Sequence, residues 1–555
     1  MGALLVKKTM RFIDALSKKI DGEIITDDTA VLRNYSHDKS PFEIMPRAIV
    51  FPKTALDVQE LVKFAEEHAD DEQRITLTPR SAGTDVGGGP LGDSIIVVFT
   101  KYFNHIVRIG GDYAVVEPGV YFRDFEKATL AHNLLLPSFP ASKSICALGG
   151  MLANNSGGEK TLVYGKTADY VQEMRVVLRD GAEHLIRPLN TEELKEKMRR
   201  ADFEGEFYSR MFEIVDRNFE LLQSARPRVS KNSAGYALWD IWDKKTFDLT
   251  RLFVGAQGTL GFITEARVRL IRPKEHTRML VMFLTDLHQM APIVSEVLLH
   301  KPETFEVYDK SVLKIILRFF PEFVKTVGGS IFERAWQFLP ELKAVLLSLR
   351  LPNYILIAEF TGDDETDVAE TVRAAEHALK RFKIATHVTN SEHEAEKYRA
   401  IRRDSFTLLQ HHIHRKQTVT FIDDVIVRPE LLPDFIPRLK QILDEYKLVY
   451  AIIGHVGDGN LHIIPLMDLS APDTRRIIDE LTHRVNHLVF EFHGSITAEH
   501  NDGLIRSPFL PEMFGAEVYA LFKETKKLFD PYMIFNPRKK IDASFNYALD
   551  HLRHE

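Results

Sequence analysis

The spacing of apolar residues changes about halfway along the chain. Up to about Pro273, short runs of β-branched and apolar residues alternate with glycine-rich turns and helical stretches. Runs of this length between turn residues are typical of strands, and glycine turns are too frequent here for a helical bundle. The first half is therefore expected to mix strands with helices. The predicted strands lie at Ile75–Thr78, Ser94–Phe99, Ala114–Val116 and Met174–Leu178.

From about His276 to Ser470 the apolar spacing is more helical. Predicted helices at Ser311–Phe320 and Glu365–Lys383 alternate with predicted strands at Tyr354–Ile357 and Val419–Ile422. A second domain that also mixes helices and strands is the simplest explanation of this pattern.

The last part of the chain contains an amphipathic helix at 516–529, which the Asp530-Pro531 pair ends. Together these patterns predict an α+β fold in three parts. An N-terminal domain covers residues 1–273, a second domain covers 274–515, and the C-terminal helix and tail cover 516–555. The predicted apolar face of the helix consists of Val518, Leu521, Phe522, Thr525, Leu528 and Phe529.

Composition narrows the class of protein. The 555 residues include 72 Lys and Arg and 79 Asp and Glu, a net charge of −7. This balance lacks the basic footprint of most nucleic-acid-binding proteins, so we expect no nucleic acid partner. No run reaches the ~18 apolar residues of a membrane span, and residues 1–12 lack a signal-peptide cleavage site. We expect a cytoplasmic protein, at most peripheral to a membrane.

Small residues are concentrated in two loops of the first half. Gly87–Gly92 matches the pattern G-x-G-x-x-G, but it leads into a strand rather than a helix, which argues against a Rossmann fold. The preceding segment, Pro79–Val86, contains small residues whose backbone amides can converge on a pyrophosphate. In the second loop, Ser142–Gly158, the adjacent Gly149 and Gly150 indicate close approach by a ligand or by another backbone.

For each loop alone, tight turns between strands are the better explanation, but the two loops together with a third glycine segment favour an extended cofactor. The ordered set of motifs resembles the FAD-linked oxidases of the vanillyl-alcohol oxidase type, in the branch of D-lactate, glycolate and D-2-hydroxyglutarate dehydrogenases. The resemblance covers roughly Tyr35 to Ile541. Its motifs are Pro79–Gly88, Glu117–Gly119, Gly149–Gly158, Tyr164–Gly165, Gly258–Glu265 and Asn536–Pro537.

The resemblance implies a two-part FAD-binding domain, a ferredoxin-like cap domain and a C-terminal tail that returns to the FAD domain. Because a carboxylate facing a diphosphate would repel it, we expect the Asp85 side chain to turn away and cap loop amides. Neither glycine loop contains a histidine for covalent attachment, so FAD is expected to be noncovalent. The implied cofactor residues are Arg80, Ser81, Ala82, Gly83, Thr84, Asp85, Gly149, Gly150, Asn154, Ser156, Gly157, Gly165, Gly258, Ile263 and Asn536.

The C-terminal tail departs from the family pattern. The usual Asn-Pro-Gly-Lys is Asn536-Pro537-Arg538-Lys539 in this chain. Arginine has fewer accessible backbone conformations than the glycine usual at this position, so the local backbone is expected to differ. The resemblance nevertheless implies that Asn536 contacts the flavin side of the cofactor.

A hairpin pattern brings two histidines together. Residues 450–465 form two strand-like runs joined by Gly457–Asn460, a turn signal. A loop of these four residues places His455 opposite His462, with Cβ atoms ~4.5–5.5 Å apart, so that both imidazoles can reach one ion. In an arbitrary hairpin, such a pair is more often a solvated cross-strand contact.

Glu499 and His500 follow the hairpin in the chain and add a carboxylate and an imidazole. Two histidines and one glutamate leave coordination positions open for a substrate, whereas the alternative is that Glu499 simply begins a helix. The resemblance implies that His455, His462 and Glu499 bind a divalent cation, with zinc expected, and that His500 is the general base. A 2-hydroxy acid could chelate this ion while its C2 hydride passes to flavin N5.

Further positions bear on substrate recognition. Arg402 matches the family's arginine for the substrate carboxylate; Arg403 is the adjacent competitor, and an exposed helical charge run is the alternative. Related D-2-hydroxyglutarate enzymes carry lysine and asparagine where this chain has Ile422 and Ile464. We therefore expect a monocarboxylic D-2-hydroxy acid, D-lactate or a longer one, with D-2-hydroxyglutarate and glycolate as alternatives. The His411–Lys416 cluster is expected to be a solvated loop rather than a second metal site.

Electrons are expected to leave for an external acceptor, because the single Cys146 cannot ligate an iron–sulfur cluster. The expected electron acceptor is a quinone, iron–sulfur or cytochrome-type partner. The aromatic stretch Ile315–Leu339 is expected to be domain core, with a membrane or partner surface as the alternative. Rival functions are a redox-neutral transferase on the same fold, a metal hydrolase in which Glu499 or His500 activates water, and a non-catalytic FAD-binding subunit.

Overall fold

Three parallel strands and one antiparallel edge strand form the first sheet, in the order β1-β2-β4-β3. The computed structural model describes residues 14–70, 74–311, 352–389, 391, 394–395, 398–399 and 417–553. The strands are β1 (Glu23–Ile25), β2 (Ala48–Phe51), β3 (Leu77–Arg80) and β4 (Ile95–Val98). Every residue of β2 and β4 is buried, as expected for parallel strands covered on both faces. Helices α1 (Thr29–Asn34) and α2 (Ala55–Glu67) flank this sheet.

The second sheet has five antiparallel strands in the order β5-β6-β11-β7-β8. They are β5 (Ile106–Ile109), β6 (Tyr113–Val116), β7 (Val171–Val177), β8 (Glu183–Ile186) and β11 (Phe262–Arg269); β9 (Leu189–Asn190) and β10 (Thr246–Phe247) pair separately. Alternate residues of β11 are buried, so one face of the sheet packs on the core. The surrounding helices are α3 (Phe122–Leu130), α4 (Leu148–Asn154), α5 (Thr161–Tyr164), α6 (Thr191–Met198), α7 (Phe203–Arg217), α8 (Phe219–Ala225) and α9 (Thr250–Phe253).

The third sheet has eight strands, and all its neighbouring pairs are antiparallel. Their order is β15-β12-β14-β13-β18-β19-β16, and β17 pairs with β19. The strands are β12 (His276–Leu284), β13 (Thr304–Asp309), β14 (Tyr354–Gly362), β15 (Ala385–Val388), β16 (Gln417–Thr418), β17 (Val425–Ile426), β18 (Val449–His455) and β19 (Asn460–Met467).

Helices cover one face of the third sheet. On β12, Leu280, Met282 and Leu284 join the core under the helices, whereas the alternate residues belong to a separate cluster on the other face. The second face is therefore available to the N-terminal half. The helices of this half are α10 (Met290–Leu298), α11 (Glu365–Leu379), α12 (Leu432–Glu445), α13 (Thr474–Glu491), α14 (Gly503–Arg506), α15 (Leu510–Phe529) and α16 (Phe545–Asp550).

Short 3-10 helices connect several of these elements. Within the described residues they lie at Thr167–Asp169, Leu238–Asp240, Leu287–Gln289, Lys380–Phe382, Pro429–Leu431 and Ser507–Phe509. No helix among the residues that the structure describes is both long and apolar enough to span a lipid bilayer.

The C-terminal tail packs on the N-terminal half. Helix α15 kinks at Gly515 and then buries Val518, Phe522 and Phe529 in the core of the second sheet. After the helix, Oδ2 of Asp530 accepts a hydrogen bond from the N–H of Phe535 (2.8 Å), and Phe535 forms a parallel bridge with Leu77 of β3. The tail thus runs beside the first sheet.

Most predicted elements are present, and the fold is α+β as predicted. The predicted strands at Ser94–Phe99 and Tyr354–Ile357 and the helix from Glu365 are confirmed. The predicted strand Val419–Ile422 is wrong: these residues form an irregular segment and turn between β16 and β17. Their apolar side chains are buried in the core, so the run reflects burial rather than strand pairing. The predictions at 312–339, including the aromatic stretch, lie outside the described residues.

Candidate active site

A cavity of about 1000 Å³ lies between the loops of the N-terminal half and the open face of the third sheet. The loop after β3 and helix α4 line one end, which we call the cofactor end. Strands β13, β18 and β19 and the segment with Glu499 and His500 line the other end, which we call the histidine end. The two groups of predicted site residues therefore meet in one cavity.

The Asp85 carboxylate caps the loop after β3. Its Oδ2 accepts hydrogen bonds from the backbone N–H of Gly87 (3.0 Å) and of Gly89 (2.7 Å). Its Oδ1 accepts one from Nδ2 of Asn154 (2.6 Å). These bonds confirm the prediction that this side chain caps loop amides.

Gly149 and Gly150 lie in the first turn of α4, not in a turn between strands. The N–H of Gly149 donates to the carbonyl of Pro118 (2.7 Å), and a Cβ on Gly149 would lie 2.5 Å from Oγ of Ser81. The sequence predicted close approach by a ligand or by another backbone at these glycines, and at Gly149 it is another backbone that approaches. A Cβ on Gly150 would have no neighbour within 4 Å, so this position is open to the cavity.

Most of the predicted cofactor residues line the cavity, but two do not. Gly165 ends α5 with φ 74°, and Asp169 packs against it. Asn536 donates from Nδ2 to the carbonyls of Gly89 (3.0 Å) and Gln257 (2.7 Å), so it ties the tail to two loops that line the cavity. The predicted residues that line the cavity are Arg80, Ser81, Ala82, Gly83, Thr84, Asp85, Gly149, Gly150, Asn154, Ser156, Gly157, Gly258 and Ile263.

Arg80 supports the loop from behind. Its Nη2 donates to the carbonyl of His37 (2.8 Å), and its guanidinium lies over the ring of Tyr35. A Cβ on Gly83 would lie 2.2 Å from Nη2, so the glycine lets the loop pass directly over the guanidinium. The charge of Arg80 is therefore engaged by the protein itself.

The hairpin carries both histidines on one face, but not directly opposite each other. His455 pairs with Asn460 and His462 pairs with Ile453, so the loop is Val456–Gly459 and the predicted register is wrong by two residues. Because side chains alternate between faces with a period of two, an even shift leaves both imidazoles on the same face. The ring centroids are 5.3 Å apart.

Glu499 reaches both imidazoles. Its Oε1 lies 3.1 Å from Nε2 of His455 and 3.4 Å from Nε2 of His462. The other ring nitrogens face carboxylates as well: Nδ1 of His455 lies 2.7 Å from Oε1 of Glu306, and Nδ1 of His462 lies 3.0 Å from Oδ1 of Asp423. A carboxylate behind each ligating imidazole is the usual outer arrangement of a protein metal site.

The donor set suits a divalent cation. Two imidazole nitrogens and one carboxylate oxygen converge in a buried place that also holds Glu306 and Asp423. Asp424, His462, Glu499 and His500 also have potential ligand atoms within 4.8 Å of one another. The oxygens of Asp424, however, already accept hydrogen bonds from protein groups. The predicted trio of His455, His462 and Glu499 shares two members, His462 and Glu499, with this group.

His500 stacks on His462, and one carboxylate faces both rings. The ring centroids are 5.1 Å apart with an interplanar angle of 26°, and Nδ1 of His500 lies 3.0 Å from Oδ2 of Asp423. Burial lowers the pKa of His462, but Asp423 and Glu499 outweigh it and raise this pKa to about 10. Burial also opposes protonation of His500, whose pKa is raised by Asp424 and Asp423. A cation among these groups would oppose both shifts.

Asp424 holds the backbone that carries Glu499 and His500. Its Oδ2 accepts from the N–H of Glu499 (2.9 Å), the N–H of His500 (2.7 Å) and Oγ1 of Thr497 (2.7 Å). Its Oδ1 accepts from Nδ2 of Asn460 (3.1 Å). Asp424 therefore fixes the main chain of the site and not an imidazole.

Lysines fix the same segment to other parts of the chain. Nζ of Lys231 lies 3.1 Å from Oδ2 of Asp458 and 3.5 Å from Oε2 of Glu499. Nζ of Lys166 donates to the carbonyl of Ala498 (2.7 Å), and burial lowers the pKa of this lysine to about 7. Both lysines belong to the N-terminal half, so the histidine end is assembled from both halves of the chain.

Asn501, directly after His500, extends this connection to the cofactor end. Its Nδ2 donates to the carbonyls of Asn154 (3.1 Å) and Gly255 (2.9 Å). Asn154 in turn donates to Asp85. A chain of hydrogen bonds thus links the two ends of the cavity.

Apolar side chains lie beside the histidines on the same sheet face. Tyr308 pairs with Ile453, Ile453 pairs with His462, and Ile464 lies two residues further along β19. Tyr308, Ile453 and Ile464 all line the cavity, whereas Ile422 is buried in the core. Of Ile422 and Ile464, which replace the lysine and asparagine of related enzymes, only Ile464 therefore reaches the cavity.

The arginines predicted to hold a substrate carboxylate, Arg402 and Arg403, lie outside the described residues. So does the His411–Lys416 cluster. Arg399 does line the cavity, and its Nη2 donates to Oε1 of Glu359 (2.6 Å).

Sequence reasoning missed several residues of the histidine end. Glu306 interrupts an otherwise mostly apolar buried strand, and Asp423 follows four residues that are apolar or threonine. An acidic residue within an apolar run was therefore a usable sequence signal for these two site residues. Lys231 lies in a polar stretch with nothing to set it apart. Its partners are 227 or more residues away in the chain, and only the fold brings them together.

Two protein-family profiles match the chain. Residues 46–199 match the FAD binding domain, and residues 273–540 match the C-terminal domain of the FAD linked oxidases. The first match includes the cofactor end of the cavity, and the second includes His455, His462, Glu499 and His500.

Curated relatives and a solved structure extend these matches. The D-2-hydroxyglutarate dehydrogenase of Pseudomonas putida is 28% identical over 95% of this chain, which spans about half (51%) of that relative's length. The glycolate oxidase subunit GlcD of Bacillus subtilis is 27% identical, and the match covers 93% of this chain and 94% of the relative. The structure of 4-ethylphenol oxidase from Gulosibacter chungangensis has a TM-score of 0.67, 15% identity and 98% coverage of both chains, which shows a shared fold.

Proposed function

The chain belongs to the FAD-linked oxidases, and from this we propose that it is an FAD- and divalent-metal-dependent dehydrogenase that oxidises a D-2-hydroxy acid to the 2-oxo acid. The observation that carries the proposal is the single cavity, in which the loop after β3 and helix α4 face two imidazoles and a carboxylate. A hydroxy acid held between them would have its C2 carbon beside both groups.

The residues at each end would have separate tasks. When bound, FAD supplies a hydride acceptor at N5 and the cation lowers the pKa of the substrate hydroxyl. His455, His462 and Glu499 would hold the cation, and we expect zinc. His500 would accept the hydroxyl proton at Nε2, because Asp423 lies at its other ring nitrogen.

We further propose that FAD is noncovalent and that the small residues at the cofactor end hold its pyrophosphate. Support comes from the open position at Gly150 and from the engagement of Asp85 and Arg80 by protein groups. The loop then offers the diphosphate backbone amides without an opposing carboxylate. Electrons would pass from the reduced flavin to an external acceptor.

The substrate is proposed to be a monocarboxylic D-2-hydroxy acid such as D-lactate or a longer one. Its carboxylate would be bound by Arg402. Its side chain would pack on Tyr308, Ile453 and Ile464, which line the cavity next to the histidines. The charge of Arg399 is already paired with Glu359, so it offers little to a second carboxylate.

An anaerobic titration of the purified, metal-loaded protein with paired D and L acids tests this function. D-lactate and longer D-2-hydroxy acids are expected to bleach the flavin absorbance, and their L enantiomers are not. Removal of the metal with a chelator should abolish the bleaching, and restoring zinc should bring it back. A colourless protein, or a flavin that no D acid reduces, would contradict the proposal.

A substrate panel tests the side-chain assignment separately. D-lactate or D-2-hydroxybutyrate is expected to have a higher kcat/KM than D-2-hydroxyglutarate. The Ile464→Asn variant should shift this ratio towards the diacid by about tenfold, because a hydrogen bond to a charged group contributes about 1.5–3 kcal/mol. A wild-type protein that prefers D-2-hydroxyglutarate would refute the monocarboxylic assignment and leave the reaction type intact.

A further inference from the structure

Among the described carboxylates of the site, only Asp423 contacts two imidazoles through two different oxygens. Its Oδ1 lies 3.0 Å from Nδ1 of His462, and its Oδ2 lies 3.0 Å from Nδ1 of His500. The first imidazole is a proposed metal ligand and the second is the proposed base. One buried side chain thus touches both groups through two different oxygens.

The position of Asp423 is itself fixed by the fold. The residue is 4% exposed, and its backbone carbonyl accepts a hydrogen bond from Nη2 of Arg506 (2.8 Å). Nη1 of the same arginine donates to the carbonyl of Asn501 (3.0 Å), directly after His500. The carboxylate and the segment that it serves are therefore held by a common guanidinium.

A carboxylate at Nδ1 determines which nitrogen of a neutral imidazole carries the proton. It accepts the N–H at Nδ1, so Nε2 keeps its lone pair for a metal or for a substrate proton. In His462 this nitrogen faces Glu499. In His500 it is the nitrogen left for the substrate.

We propose that Asp423 is a positioning residue that sets the tautomer of His462 and His500 together, so that metal binding and proton abstraction depend on one side chain. The inference deepens the proposed function and rests on it. Asp424 acts differently, because it binds backbone amides and a threonine hydroxyl. Glu306 acts on His455 and has no contact of this kind with the base.

The test compares Asp423→Asn with wild type in the full-length FAD-loaded protein. Asparagine keeps the size but replaces one accepting oxygen with an amide that cannot accept the N–H. The zinc dissociation constant, from chelator competition, should rise about 10- to 100-fold. With metal at saturation, kcat should fall about 100-fold or more and KM should stay within about threefold, since the substrate contacts are retained.

Two further variants separate positioning from general damage. Asp309→Asn is the matched control, because Asp309 is a buried carboxylate on β13 that faces away from the cavity, towards Lys440. It should leave the zinc dissociation constant and kcat near wild type. In a His500→Ala background, Asp423→Asn should cost no further kcat but should still weaken zinc binding through His462.

Wild-type zinc affinity and kcat in Asp423→Asn would overturn the inference, and so would an equal effect of Asp309→Asn. If Asp423→Asn does not fold, Asp423→Glu replaces it, because glutamate keeps both accepting oxygens but displaces them. It should raise the zinc dissociation constant and lower kcat together, and an unchanged value of either would count against the inference. A wild-type protein that binds no zinc would instead refute the proposed function.

Discussion

The two ends of the cavity are built from different chemical groups. The cofactor end consists largely of glycines, small side chains and backbone amides, and the Asp85 carboxylate that lines it is turned onto loop amides. The histidine end consists of buried carboxylates and of imidazoles that are buried or partly buried, and these groups are paired with one another. At the cofactor end, function therefore depends on the room left for a ligand between small residues. At the histidine end, it depends on the charge and orientation of single side chains.

The largest effect is expected at the histidine end. His500→Ala should lower kcat about 100- to 10,000-fold, because a positioned general base contributes about that much. FAD content and thermal stability should stay near wild type, since the ring stacks on His462 at a partly exposed position. Steady-state kinetics with the best D acid, together with the flavin absorbance spectrum, measures both. A variant with more than a tenth of wild-type kcat would assign the base elsewhere.

The cofactor end should respond to added volume instead. In Gly149→Ala the new methyl group would lie 2.5 Å from Oγ of Ser81 and 2.7 Å from the carbonyl of Pro118. We expect a loss of about 1–3 kcal/mol in the free energy of unfolding, which denaturant titration of the FAD-free protein would measure.

Gly150→Ala is the matched control, because its methyl group meets nothing within 4 Å. It should leave the FAD-free protein as stable as wild type or slightly more stable, since alanine favours a helix. It should weaken FAD binding if the cofactor occupies this open side of α4. Equal stability losses in the two variants would remove the distinction between a packing glycine and a ligand-facing glycine.

A substitution of Asp85 is expected to change the hydrogen bonding of the loop rather than its volume. Asp85→Asn retains one accepting oxygen and loses the other, so at least one of the hydrogen bonds from Gly87, Gly89 and Asn154 is weakened. A loss of about 1 kcal/mol in stability is expected for each bond lost. If the negative charge of Asp85 opposed the cofactor phosphates, the variant would bind FAD more tightly than wild type. We expect no such gain, and isothermal titration of the FAD-free protein would detect it.

The last predicted effect depends on pH and concerns a buried acid behind the cofactor end. Burial, with a contribution from Asp85, raises the pKa of Asp38 to about 7. Below its ordinary pKa the group is protonated in both the folded and unfolded states; between about pH 4 and 7 only the folded state keeps the proton, so stability falls as pH rises. Asp38→Asn should remove this fall, with a difference of about 2 kcal/mol between about pH 5 and pH 7. Parallel curves for the two proteins would contradict the assignment.

The sequence predicted much of the fold because its signals are local and ordered. Alternating apolar runs gave the strands of both halves, and the order of glycine motifs indicated the cofactor end before any contact was known. The segment Val419–Ile422 shows the limit, because burial alone produces an apolar run that resembles a strand.

The histidine end was predicted only in part. Spacing in the hairpin placed His455 and His462 on one face, although the register was wrong by two residues. The roles of Asp423 and Lys231 depend on contacts between residues far apart in the chain, which spacing does not encode. A local pattern gives the ligands of such a site, and the fold supplies the groups that orient and neutralise them.

The contacts of Lys166 and Lys231 have a consequence for how the molecule can move. Lys231 pairs with the carboxylates of Asp458 and Glu499, and Lys166 donates to the carbonyl of Ala498, so pulling the halves apart would break a buried ion pair and a buried hydrogen bond. A hinge-like opening between the halves is therefore costly. We expect a substrate to enter by displacement of side chains or loops at the mouth of the cavity.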